Sequence, residues 1–162
     1  MTRSEPQPRL ELDVQFACVS SDVPDEAALR DWTLAALAGI SAPVELVIRL
    51  VDEAESRTLN KQYRGMDKST NVLSFPFEAL PGVNCNHLGD LVICTPVVQR
   101  EAAKQAKVPD HHWAHMVVHG VLHLRGYDHC EQRQADEMEA LEKQILAGLG
   151  IADPYTVHDM AV

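Results

Sequence analysis

The stretch VELVIRLVDEAESRTLNKQYR, residues 44–64, decides the fold, because its hydrophobic pattern changes character at Asp52. Residues 44–51 are dominated by Val, Ile and Leu, the composition of a strand buried against neighbours. From Asp52 onward the pattern is that of a helix. Asp52 and Glu55 form a capping-box-like start, and Glu53 and Glu55 place carboxylates where the helix dipole favours them. Upstream, Leu10, Leu12, Val14 and Phe16 alternate with polar residues and predict a strand over 10–17. Pro24 then suits the first turn of a helix to about Ala38, with Leu29, Trp32, Ala36 and Leu37 toward the core and Gly39 ending it. Downstream, strands are expected at 70–75 and 88–94, and helices at 96–106, 110–124 and 131–148. Strands separated by helices, with two consecutive strands in the middle, predict an α+β fold. That fold is a small mixed sheet of about four strands packed with about five helices.

One domain is expected from 162 residues, and a 46% apolar content suffices for a core. We place a flexible tail at 1–9, the domain at 10–150 and a C-terminal tail at 151–162, with a mobile loop in PFEALPGVNCN. No apolar run reaches the roughly 18 residues that span a bilayer, and the first residues lack the pattern of a signal peptide. A soluble, cytoplasmic protein is therefore expected. Cys18, Cys85, Cys94 and Cys130 form no CxxC pair, which argues against a disulfide framework or a thiolate zinc site.

The chemistry is concentrated in HGVLHLRGYDH, residues 119–129. Positions four apart on a helix lie one turn above each other, about 5–6 Å between Cβ atoms, so His119 and His123 can converge on one ion. Gly126 reverses the chain and brings His129 toward the same point. Three neutral imidazoles around an open position describe a catalytic zinc site, with one ion per chain. The competing reading is a polar histidine ridge, since His111, His115, His119 and His123 recur every four residues. His115 and His123 are roughly 12 Å apart along a helix axis and cannot share an ion. This leaves His111, His112 and His115 as surface groups or supports. Asp128 and Asp90 are candidate carboxylates for orienting a metal-bound imidazole. Peptidases of the HExxH type carry a glutamate where this chain has Gly120, which weakens a peptidase reading. Gly120 either admits close packing or leaves room for substrate.

The net charge of −10 does not favour nucleic acid, yet Arg57, Lys61, Arg64 and Lys68 form one basic stripe. Arg64 suits a phosphodiester, to which a guanidinium donates two parallel hydrogen bonds; an ion pair with Asp67 is the alternative. Aromatic residues that could stack RNA bases are few, Tyr63 and Tyr127 among them, so sequence-specific readout is not expected.

HGVLHLRGYDH, LNKQYRGMDKSTNVLSFPFE at 59–78 and HLGDLVIC at 87–94 together resemble the YbeY family of bacterial endoribonucleases over about residues 10–150. The resemblance implies a zincin-like metal helix, with His119, His123 and His129 holding zinc and with Arg64 and His119 as the catalytic residues. It implies a single-strand-specific endoribonuclease acting in 16S rRNA 3′-end maturation and ribosome quality control. The expected partners are single-stranded RNA or rRNA, the small ribosomal subunit and its proteins or an assembly GTPase, with no DNA and no membrane. A ribosome assembly factor with a structural zinc, or a zinc peptidase, are the alternatives from the same residues. Whether water or the RNA 2′-hydroxyl is the nucleophile stays open at this point.

Overall fold

Nine elements follow one another in the computed structural model, which describes residues 9–78, 81–82, 85–128 and 130–155. They are β1 (Leu10–Ala17), α1 (Glu26–Ala36), β2 (Val44–Val51), α2 (Glu53–Arg64), β3 (Val72–Pro76), β4 (His87–Cys94), α3 (Thr95–Lys104), α4 (Pro109–Leu124) and α5 (Gln132–Gly148). The four strands form one mixed sheet in the order β1-β2-β4-β3. β1, β2 and β4 run parallel, and β3 is antiparallel to β4. This is the α+β architecture expected from the sequence.

Alternation along the strands divides the core in two. Leu46, Ile48 and Leu50 of β2 and Leu91 and Ile93 of β4 pack with Trp113, Val117 and Val121 of α4, and with Leu29 and Leu37 near α1. Val92 and Cys94 join Val51 and Leu73 in a smaller cluster against Leu59 of α2. Phe16 departs from the sequence expectation. At the end of edge strand β1 it is 51% exposed.

Two helix starts also differ from expectation. α1 begins at Glu26, so Pro24 precedes the first turn instead of lying in it, and Asp25 caps the helix, its side chain accepting from the Ala28 N–H at 2.9 Å. At α2 no capping box forms. The Asp52 carboxylate accepts instead from the Val19 N–H at 3.0 Å, and Glu55 turns to Arg49 at 2.6 Å. At α2 partners outside the helix have outcompeted the local cap.

α4 lies at the centre of the larger core, buried on nearly all sides. Gly120 allows this. A Cβ there would stand 2.7 Å from Leu91 Cδ2 and 3.3 Å from Val72 Cγ2, so the helix can approach the sheet this closely only with glycine. Packing therefore accounts for Gly120, and a glutamate at that place would have to displace fully buried Leu91.

Candidate metal centre and cleft

The C-terminal half of α4, the free edge of β3 and the end of α2 enclose a cleft of about 780 Å³. His119 and His123 line one wall; Asn71, Ser74 and Phe75 line another; Tyr63 and Arg64 close it from the end of α2. The turn after α4 supplies Gly126, Tyr127 and Asp128. Gly126 has φ of +100°, the left-handed conformation that the chain reversal requires. His129 lies outside the described residues.

His119 Nε2 and His123 Nε2 stand 3.1 Å apart. Two nitrogens bound to one zinc at about 2.1 Å in a tetrahedral arrangement would be separated by roughly 3.4 Å, close to this spacing. The opposite nitrogen of His119, Nδ1, lies 2.8 Å from Glu142 Oε2. His115, His119 and Glu142 also bring ligand atoms within 4.8 Å of one another, so this part of the chain could hold a metal ion.

Glu142 is fully buried in α5. Burial alone would favour its neutral form, but hydrogen bonds from His115, His119 and Tyr155 outweigh that and hold its pKa at about 2. Burial lowers the pKa of His115 against the opposing pull of Glu142, so the imidazole is neutral beside an ionised carboxylate. Burial and the same carboxylate raise the pKa of Tyr155, which keeps its phenol protonated and donating.

His112 and His115, expected as surface groups or supports, are both buried. His112 Nε2 meets Glu101 Oε1 at 2.9 Å, and Glu101 also accepts from Asn71 Nδ2 at 3.1 Å. The Asn71 Oδ1 in turn accepts from the Val72 N–H at 2.7 Å. A chain of polar contacts thus links α4 to the cleft strand β3.

The basic stripe does not act as one surface. Arg57 makes a two-point contact with Asp67 at 2.7 and 3.1 Å, and Arg57 and Lys61 line a separate depression on the outer side of α2. Asp67 is thereby engaged by Arg57, and among the described residues Arg64 forms no ion pair. Of the stripe, Arg64 is the residue that lines the histidine cleft. Of the carboxylates considered as supports, Asp90 contacts His87 at 2.9 Å, while Asp128 lines the cleft and accepts from the Cys130 thiol at 3.2 Å.

Glu142 and Tyr155 were not anticipated from the sequence. A signal for the first was present: Met138, Glu142 and Leu146 are spaced by four on the buried face of α5, and a carboxylate in an apolar stripe is rarely buried without partners. Nothing local marked Tyr155.

Fold and cleft together define a small α+β protein whose central helix presents histidines beside the free edge of a mixed sheet. The family model described as Endoribonuclease YbeY matches residues 18–150. The chain is 57% identical over 157 residues to Endoribonuclease YbeY of Alkalilimnicola ehrlichii, covering 94% of this chain and 95% of that protein. The chain belongs to the YbeY family. It is also similar in fold to the solution structure of TM1509 from Thermotoga maritima, with a TM-score of 0.52 and 22% identity, covering 88% of this chain and 99% of that one.

Proposed function

We propose that this chain is a metal-dependent endoribonuclease that cleaves single-stranded RNA in the maturation of small-subunit rRNA. Its 57% identity to a protein named Endoribonuclease YbeY supports the activity. The observation that carries the site is the 3.1 Å approach of His119 Nε2 to His123 Nε2 on the wall of the cleft that Arg64 also lines. In this reading His119, His123 and His129 hold one zinc ion. When bound, zinc supplies positive charge beside a phosphoryl oxygen and lowers the pKa of water toward about 7.

The chain's own residues do the rest. The His119 ring is held with Nδ1 toward Glu142, which leaves Nε2 directed at the ligand point. Arg64, at the last position of α2, donates two N–H groups to the scissile phosphate and stabilises the charge that builds there. Tyr63, 60% exposed and braced edge-to-face on Phe75 at 5.1 Å, offers a ring against which an unpaired base can stack. Specificity for the cleavage site then comes from the small ribosomal subunit, its proteins or an assembly GTPase. No helix among the described residues is long and apolar enough to cross a membrane.

The test is cleavage of a single-stranded RNA by wild type and Arg64→Ala, both shown to be folded and to hold equal zinc. Loss of cleavage in the variant alone supports the assignment. Equal cleavage by both proteins sinks it, because a contaminating nuclease gives that result, and absent cleavage by both moves the reading to an assembly factor with a structural metal. The ends of the products report the nucleophile: a 2′,3′-cyclic phosphate means attack by the RNA 2′-hydroxyl.

A further inference from the structure

Glu142 is a carboxylate without solvent exposure in a helix that the cleft does not touch. Burying such a charge is costly unless its oxygens are hydrogen-bonded. Here both are. Oε1 accepts from His115 Nε2 at 2.8 Å and from the Tyr155 hydroxyl at 2.7 Å, and Oε2 faces His119 Nδ1 at 2.8 Å. An ionised carboxylate only accepts, and a neutral imidazole carries one N–H. In the neutral ring that metal binding requires, the 2.8 Å contact to the carboxylate therefore puts the His119 proton on Nδ1 and the lone pair on Nε2. That nitrogen is the one 3.1 Å from His123 Nε2.

We propose that Glu142 is a positioning residue, which fixes the tautomer and ring orientation of His119 and is itself held in place by His115 and Tyr155. The proposal rests on the reading of His119 and His123 as metal ligands. It also assigns His115 and Glu142 away from the metal, although their ligand atoms gather closely with those of His119. Ligand atoms about 2.1 Å from a common zinc ion are separated by roughly 3.4 Å, whereas the contacts to Glu142 are 2.7–2.8 Å, the length of charge-assisted hydrogen bonds. The Tyr155 hydroxyl also lies 3.2 Å from His115 Nε2, which places a phenol where an ion on those residues would have to fit. A carboxylate behind a metal-binding histidine sets the tautomer and raises the basicity of the ligand, and its loss typically weakens binding about 10- to 100-fold.

The experiment measures binding of zinc alone to the full chain by competition with a chromophoric chelator, for wild type, Glu142→Gln, Tyr155→Phe, His115→Asn, His119→Ala and His123→Ala. Long-range ¹H–¹⁵N NMR of the metal-free proteins reads the His119 tautomer. Wild type is expected to show the Nδ1–H form. Glu142→Gln, which keeps the shape and removes the charge, is expected to bind one zinc about 10- to 100-fold more weakly and to mix the two tautomers. Tyr155→Phe is expected to weaken zinc by a smaller factor. A purely structural Glu142 would lower the melting temperature and leave both tautomer and affinity in place, and that outcome overturns the proposal. If Glu142→Gln does not fold, wild-type affinity and tautomer in Tyr155→Phe overturn it instead. If Glu142→Gln and His115→Asn abolish binding while His123→Ala retains it, Glu142 is a ligand and the proposal is wrong. Wild-type affinity in both His119→Ala and His123→Ala overturns the metal reading itself, which separates the two failures.

Discussion

The two nitrogens of His119 face two different environments. Nδ1 points into a closed polar knot of Glu142, His115 and Tyr155, where each carboxylate oxygen has a partner and Glu142 has no contact with solvent. Nε2 points to a cleft of about 780 Å³ lined by Arg64 and the exposed Tyr63. The metal ligand that we propose His119 to be needs both settings. Low dielectric and saturated hydrogen bonds fix the ring on one side, and an accessible space on the other admits a large anionic substrate.

Substitutions on the open side should change activity without changing stability, and those on the closed side should do the reverse or both. The largest effect expected is from His123→Ala, or from removal of metal by a chelator, either of which should bring RNA cleavage to background. The RNA products, resolved by gel, check this. Arg64→Ala follows, with kcat for RNA cleavage falling about 100- to 1000-fold at an unchanged melting temperature, the range seen when one preorganised donor to a charged transition state is removed. Arg64→Lys should recover only part of this loss, since it keeps the charge and loses the paired donors.

On the closed side, Leu122→Ala removes a fully buried side chain from the α4 core and should destabilise by about 2–5 kcal/mol in chemical denaturation. Gly120→Ala should destabilise by about 1–3 kcal/mol through overpacking against Leu91 and Val72. Because Gly120 faces the sheet, its residual folded fraction should still bind zinc, and a loss of zinc from folded protein would show that Gly120 shapes the cleft instead. The smallest effect belongs to Arg57→Ala. Its ion pair with Asp67 is solvent-exposed and lies outside the cleft, so RNA affinity and melting temperature should both stay at wild-type values. A large loss of RNA binding would restore the basic stripe as one continuous surface.

Much of this arrangement was legible along the chain because it depends on local periodicity. β2 occupies the predicted 44–51, β1 the predicted 10–17, and α4 begins one residue before the predicted start at 110. The spacing of His119 and His123 is a property of one helix, and it brings their Nε2 atoms to 3.1 Å. The position of Arg64 at the end of α2, just before the turn at Gly65, follows from the same kind of pattern.

What could not be read locally is which distant partner each polar group would choose. Asp52 looked like a cap and serves the Val19 N–H, 33 residues away; Asp67 looked like a partner for Arg64 and pairs with Arg57. His112 and His115, read along the chain as surface groups or supports, are buried because α1, α3, α5 and the sheet close around α4. Periodicity along one element fixes which side chains share a face, and this chain's sequence determined its elements, its sheet-and-helix class and the histidine pair by that rule. Which face is buried, and by what, depends on contacts between elements far apart in sequence, so only the tertiary structure could bring Glu142 and Tyr155 behind His119 and place Arg64 across the cleft from it.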